Sequence, residues 1–359
     1  MMSSFSACMK IPKLVICLFP VLGVVFVWLV LAESNYAQNL QPSGFLESIA
    51  KLTKAQIVAA GSGQPVTLIL AAGNKAEIGA VGAVRIQVSP DVFVSQFRNI
   101  QEFKKTAEVL QIGKFSEPAT EANLAPLMVD ASDIRALQYC KPGSCSVKIS
   151  AALLANYRKL VVDSAPYTQK AAAFRHVLVD YVNDYSRRGD SALLVYNDET
   201  PEINLAHEFH DLLGGSQTLR QYAPEFVEYL DGRRGSHLEN TDEFIYWSKE
   251  DAGFKAITSL THVTTYKKVI QGRVWYFIAS KNIYSNHYLE SSLGLSVISE
   301  DPGGGCWLVY INRSRTDILR GWLSSLRRTV IESRVKSVMK KQLSATKKKL
   351  ETSFPNPKN

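Results

Sequence analysis

The amino-acid sequence predicts an α+β fold in which a curved antiparallel sheet grips a long C-terminal helix and carries an inserted helical segment. Three observations lead there. Residues 244–313 break into short alternating or aromatic runs separated by turn residues, the pattern of a sheet laid down hairpin by hairpin. From about Ile318 apolar residues recur every three or four positions, at Leu319, Leu323, Leu326, Val330, Ile331, Val335, Val338, Met339 and Leu343, which reads as one stripe of a helix. Residues 151–230, between two strand-rich flanks, repeat at helical spacing. A helix laid across the hollow of a sheet leaves room for a cavity, and that is the first functional expectation.

With 46% hydrophobic and 21% charged residues in 359, the chain can build one large core or two modest ones, which excludes disorder as the default. Lys10 and Lys13 precede an uncharged run over residues 14–31, broken only by Pro20 and Gly23, the layout of an export signal with cleavage after Ala32. The run is long for a cleaved segment and near the lower limit of a membrane span, so residues 1–32 read as a signal peptide or as an uncleaved signal anchor. Either reading places the remainder outside the cytoplasm, periplasmic or secreted. The net charge of +8 is concentrated in the last helix, where Arg327, Arg328, Arg334, Lys336, Lys340, Lys341, Lys347, Lys348 and Lys349 face only Glu332 and Glu351. Such a face suits water or an anionic membrane surface. An exported chain meets no nucleic acid, so none is expected as a partner.

Residues 33–82 read as an N-terminal helix and linker. Phe45, Ile49, Leu52 and Ile57 give one helix over 45–60, stopped by Gly61-Ser62-Gly63, and 66–71 is a compact strand. Residues 83–350 form the main domain. Val84, Ile86 and Val88 alternate with Arg85 and Gln87 as a half-buried strand, and Ser89-Pro90-Asp91 opens a helix with Phe93, Val94 and Phe97 on one face. Strands follow at 109–115, 127–130 and 145–149. Between the last two, Cys140 and Cys145 flank a Pro-Gly turn that brings two thiols into disulfide range, a structural staple in an exported protein.

The insertion, at about 151–230, carries helices at 151–160, 171–185, 201–213 and 219–230 and a strand at 192–196. The sheet then runs through 244–248, 257–266, 274–280, 282–289, 293–298 and 306–313, with Gln271-Gly272 and Asp301-Pro302-Gly303-Gly304-Gly305 as turns. Cys306 reads as a buried strand thiol. Residues 351–359, with Pro355 and Pro357, read as a disordered tail.

The strand and aromatic helix at 84–97, the meander at 244–313 and the helix to Leu350 together resemble the helix-grip plan of the START-like (SRPBCC) superfamily, which includes lipid-transfer proteins, polyketide cyclases and coenzyme Q-binding proteins. The likeness is one of element order over about half the chain, and the insertion departs from it. It implies a sheet closed by the helix around an apolar tunnel, hence an exported envelope protein that binds or carries a hydrophobic, lipid-like molecule, with no cofactor implied. The polar residues available to such a tunnel are His262, Tyr266, Tyr276, Tyr284 and His287 in the aromatic strands, with Asn312 and Arg313 at the end of the last one. Trp275, Phe277 and Trp307 read as core.

An alternative is an envelope enzyme of cyclase or hydrolase type, with His262 or His287 as acid or base facing a Tyr, Asp or Glu. A structural envelope protein without ligand is the third reading. Only His207 and His210 suggest a metal. Their spacing of three is not that of zinc proteases and no third ligand is evident, so no metal is expected. No serine sits in a Gly-x-Ser-x-Gly elbow, and Gly303-Gly304-Gly305 lacks the Lys-Ser/Thr ending of a phosphate loop.

Overall fold

A computed structural model describes residues 42–48, 50–216, 219–232, 237–251, 253, 255–321 and 324–355; the export segment expected over 1–32 lies outside them. Among the described residues no helix is long and apolar enough to cross a membrane.

The single helix expected over 45–60 is two, α1 (Pro42–Ser48) and α2 (Lys54–Gly61). Lys51 takes φ 54°, which breaks the spiral, and Thr53 starts α2 afresh through a reciprocal cap with Gln56. β1 (Val66–Leu70) pairs with β2 (Glu77–Ile86), which begins upstream of the alternation at 84–88. Ser89 caps α3 (Pro90–Arg98) as its sequence predicts, and α4 (Ile100–Phe103) and β3 (Val109–Lys114) follow.

The inserted segment contributes α5 (Glu121–Leu124), α6 (Ala131–Tyr139), α7 (Ala151–Leu160) and α8 (Tyr167–Arg188). No strands form at 127–130 or 145–149. Leu127, Val129, Val147 and Ile149 are buried instead among the side chains of these helices, and α6, unforeseen in the sequence, starts directly after Asp130. Then come β4 (Val195–Tyr196) and β5 (Ile203–Asn204), a two-residue pair, and α9 (Leu205–Gly214), capped by Asn204. The helix expected over 219–230 is split into α10 (Leu219–Tyr222) and α11 (Pro224–Leu230), because the residue before a proline is driven out of helical backbone and Ala223 has φ −145°.

β6 (Thr241–Asp251), β7 (Ala256–Ile270), β8 (Arg273–Ser285), β9 (Leu289–Glu300) and β10 (Cys306–Thr316) complete an open antiparallel sheet in the order β1-β2-β10-β9-β8-β7-β6-β3. The runs at 274–280 and 282–289, read as separate strands, are mostly one, β8. The order brings β2 beside β10, so a strand from the front of the chain and the last strand of the meander are neighbours.

Side-chain alternation divides the sheet's load. Val81, Val309, Val297 and Phe277 face α1 and α9 to α11, packing with Phe45, Leu213 and Phe226. Val84, Leu308, Ile298 and Ile278 face the other way, toward α3 and the last helix. At one end of the first face Trp247, Leu260, Ile283 and Tyr284 fasten α5 to α8.

The last helix, α12 (Ser324–Ser353), begins later than expected and runs into the predicted tail. Asp317–Leu319 is a separate 3-10 turn, and Gly321 takes φ +85° in open space, so its role is to bend the chain and not to admit a neighbouring backbone. The apolar stripe also divides. At 3.6 residues per turn Val330 stands about 180° around the helix from Met339; accordingly Met339 and Leu343 are buried while Leu326, Val330 and Val338 are exposed. Arg328 donates to the Glu77 carbonyl, and on the helix's other flank Lys341 pairs with Glu108, next to edge strand β3, and Lys349 donates to the Glu102 carbonyl. The helix is thereby held along β2 and also tied to the opposite margin of the sheet.

Candidate ligand sites on the two faces of the sheet

Where α12 lies on β2 the contact is tight. A Cβ at Gly82 would fall 2.5 Å from Leu343 and 3.0 Å from Met339, so only glycine lets the helix approach so closely. Farther into the sheet the same face changes character. Ser280, Ser292, Ser296, Tyr310, Asn312 and Ser314, on central strands β8, β9 and β10, all keep accessible surface. Register gathers them: Tyr310 opposes Ser296, Asn312 opposes Gly294 and Ser314 opposes Ser292. Asn312 Nδ2 donates to Ser292 Oγ at 3.3 Å and to the Tyr310 hydroxyl at 3.4 Å, and Ser314 Oγ donates to Asn312 Oδ1 at 2.8 Å.

A closed helix–sheet interface fills central positions with Val, Ile and Leu. Short hydroxyl side chains there leave volume and line it with donors and acceptors. Burial holds the Tyr310 phenol above its usual range. Nearby, Lys104 bonds Glu250 at 2.7 Å and the Tyr246 hydroxyl at 3.3 Å, and Ile278, Ile298 and Leu308 supply apolar surface. This face can hold an apolar body and hydrogen-bond a polar head.

The opposite face carries a cleft of about 630 Å³ between β6 to β8, the end of α8 and α11. His262 lines it. Its Nδ1 is 2.9 Å from the Tyr185 hydroxyl and its Nε2 is 3.7 Å from Glu243 Oε1. Glu243 Oε1 also accepts from Thr264 Oγ1 at 2.9 Å and from the Tyr229 hydroxyl at 3.1 Å. Burial acts to raise the Glu243 carboxyl, but His262, Thr264 and Tyr229 outweigh it and the group sits below its ordinary value. The tautomer that suits both neighbours has Nδ1 accepting from Tyr185 and Nε2–H toward Glu243, an imidazole placed to pass a proton. Lys281, opposite His262 across the β7–β8 ladder, pairs with Asp190.

The other candidates are dispersed. Tyr276 lies on the α12 face but its hydroxyl is held by Asp91 at the start of α3. Tyr266 stacks on Phe226 with centroids 5.5 Å apart and donates to Glu225 at 2.7 Å. Arg313 is engaged by buried Glu77. A bulge at Ile283 turns Tyr284 into the core beside the helical insertion, where burial raises its phenol well above the usual range and its hydroxyl has no partner among the described residues. His287 sits at the β8–β9 turn against Asp133. His207 and His210 are exposed and turn to different carboxylates, Asp211 at 3.9 Å and Asp231 at 2.7 Å, and the described residues contain no cluster of three metal-ligating side chains.

Cys140 and Cys145 form a disulfide around Gly143, which takes φ +79°. Cys306 is buried and free, its thiol pushed up to about 12 by burial, and so is unreactive.

Sequence reading did not find Tyr185, Glu243 or the hydroxyl patch. The patch did leave a signal, since Ser280, Ser292 and Ser296 interrupt strands that are otherwise apolar on both faces. Comparison with family models, with curated proteins and with solved structures finds no match for this chain.

Proposed function

We propose that the protein binds an amphipathic, lipid-like molecule in the space between α12 and the floor of β8, β9 and β10, outside the cytoplasm. The observation that carries this reading is the accessible serine, asparagine and tyrosine patch on central strands beneath a helix tied to both margins of the sheet. The sequence of elements supports the helix-grip resemblance: β2, the aromatic helices α3 and α4, the meander and α12 fall in the expected order, and β2 closes on β10. The Cys140–Cys145 bridge suits an oxidising compartment. Lys336, Lys340 and Lys348, exposed along one side of α12, suit an anionic membrane from which such a ligand is taken or to which it is delivered.

Native mass spectrometry of protein incubated with phospholipid vesicles tests the proposal. A bound lipid is expected, and Ser296→Phe, which fills the floor, is expected to abolish it while leaving the folded fraction unchanged. Protein that stays empty in every preparation, or Ser296→Phe protein that binds as well as the parent, overturns it.

A second reading, acid–base catalysis of hydrolase or cyclase type, is favoured by the Tyr185–His262–Glu243 arrangement in the opposite cleft. Turnover in a panel of ester probes is expected to fall about a hundredfold or more in His262→Ala. Absence of turnover across the panel, or undiminished turnover in the variant, eliminates it. Because Glu243 is depressed in the folded state, its contribution to stability is complete above the ordinary carboxyl value of 4.5 and is lost as pH falls through the lower folded value. Denaturation midpoints of wild type and Glu243→Gln should therefore converge below pH 4.5.

A further inference from the structure

A third site stands apart from both readings. A pocket of about 710 Å³ lies between the first turns of α12, the β8–β9 turn and the loops around Ser146 and Asp198, and it contains none of the hydroxyl floor residues. Two independent features meet in it.

The first is a fixed imidazole. His287 Nε2 lies 3.0 and 3.1 Å from the two carboxylate oxygens of Asp133, and Asn286 Nδ2 donates to the same carboxylate at 2.9 Å. The His287 and Asp133 side chains are only 5% and 2% exposed. A carboxylate on Nε2 selects the tautomer with its proton there, which leaves Nδ1 as a lone pair. Nδ1 makes no hydrogen bond among the described residues, although the ring is more than nine-tenths buried and forms part of the pocket wall. A buried polar atom without a partner is costly, so a group that satisfies it from the pocket gains that free energy on binding.

The second feature is apolar surface with nothing on it. Ile318, Leu326, Val330 and Ile331 line the same pocket, and Leu326 and Val330 are each 68% exposed, on the side of α12 turned away from β2. Leucine and valine held in water beside an unsatisfied imidazole specify a molecule with an apolar chain and one polar end.

Charge narrows the polar end. Lys148 and Arg327 are opposed by Asp198, Glu199 and Asp317 in the lining, and Lys148 is already consumed by Asp317 at 3.0 Å and Asp198 at 3.2 Å. A fatty-acid carboxylate would enter a site with surplus negative charge, and an alkyl ammonium would find no acceptor at Nδ1. A hydroxyl can donate to the neutral imidazole and can equally accept from it when protonated.

We propose that this pocket binds a neutral long-chain alcohol, its hydroxyl on His287 Nδ1 and its chain along Leu326 and Val330. In 15N-histidine-labelled full-length protein, 1-decanol is expected to shift the His287 Nδ1 resonance saturably, while decane leaves it unmoved and decanoate requires at least about tenfold higher concentration. Leu326→Lys and Val330→Lys together should weaken 1-decanol binding by about tenfold or more; both side chains are exposed, so the fold survives the changes. Ser296→Phe, which closes the space proposed above for a lipid, should leave the 1-decanol titration unchanged.

No shift with 1-decanol, an equal response to decane, or a response indifferent to the α12 substitutions overturns the assignment. Loss of the response in Ser296→Phe also overturns it, by placing the alcohol on the hydroxyl floor. If Ser296→Phe loses phospholipid but keeps 1-decanol, the two sites are separate.

Discussion

Trp247→Ala is expected to lower the stability of the whole protein by about 3–5 kcal/mol, the largest effect of any single substitution outside the ion-pair network. Trp247 has no exposed surface and joins β6 to the helical insertion in one hydrophobic cluster with Leu260 and Tyr284. Its indole N–H donates to the Asn123 carbonyl at 2.8 Å, and Gly113 of β3 is so close that a Cβ there would be 2.5 Å from the indole nitrogen. Truncation thus opens a cavity and strands a buried carbonyl at the seam between two layers. Chemical denaturation followed by circular dichroism measures the effect. Trp247→Phe should recover part of it, and a loss below about 1 kcal/mol would mean that the seam carries little of the stability.

Glu77→Ala is expected to cost about 3–5 kcal/mol for a different reason, the loss of one partner from a buried ion pair. Glu77, at the start of β2, is 3% exposed; it engages Arg313 directly and lies 3.7 Å from Arg315, which in turn bonds Glu208 at 2.6 Å. Removing the carboxylate leaves Arg313 without its counter-ion in a largely desolvated place. Glu77→Met paired with Arg313→Met should be far milder than Glu77→Ala alone, since replacing both partners removes the stranded charge. Equal destabilisation by the double and single variants would contradict this account. The outcome also bears on ligand binding, because Arg313, a sequence candidate for a headgroup contact, is committed to holding β10 against β2.

The relation between these two residues and the sequence is instructive. Trp247 stands in a run of aromatic and apolar residues that announces a strand, so its burial was legible. Its partner Asn123 lies 124 positions away and was not. Glu77 precedes the alternation by which β2 was recognised, and no local pattern marks it as the counter-ion of a residue 236 positions downstream.

Local chemistry by itself determined the α+β class, the antiparallel meander, the proline-started helix at Pro90, the long basic terminal helix and the Cys140–Cys145 bridge. Each depends on residues within one turn or one period of each other. It also picked out His262 and Asn312, which the fold does place on accessible surface, because polar side chains in aromatic strands are conspicuous.

Tertiary structure alone decided which candidates share a site. Alternation assigns a residue to one of two faces, but only the register and the order of strands fix its neighbours, and one bulge at Ile283 is enough to send Tyr284 elsewhere. Helix periodicity likewise could not reveal that the stripe on α12 turns through half a circle, burying Met339 and Leu343 while leaving Leu326 and Val330 in the open. The hydroxyl floor, the Tyr185–His262–Glu243 cleft and the His287 pocket are assembled from segments distant in sequence. Their chemistry arises when folding brings those segments together, since hydrogen bonds and desolvation act over a few ångströms in space irrespective of separation along the chain.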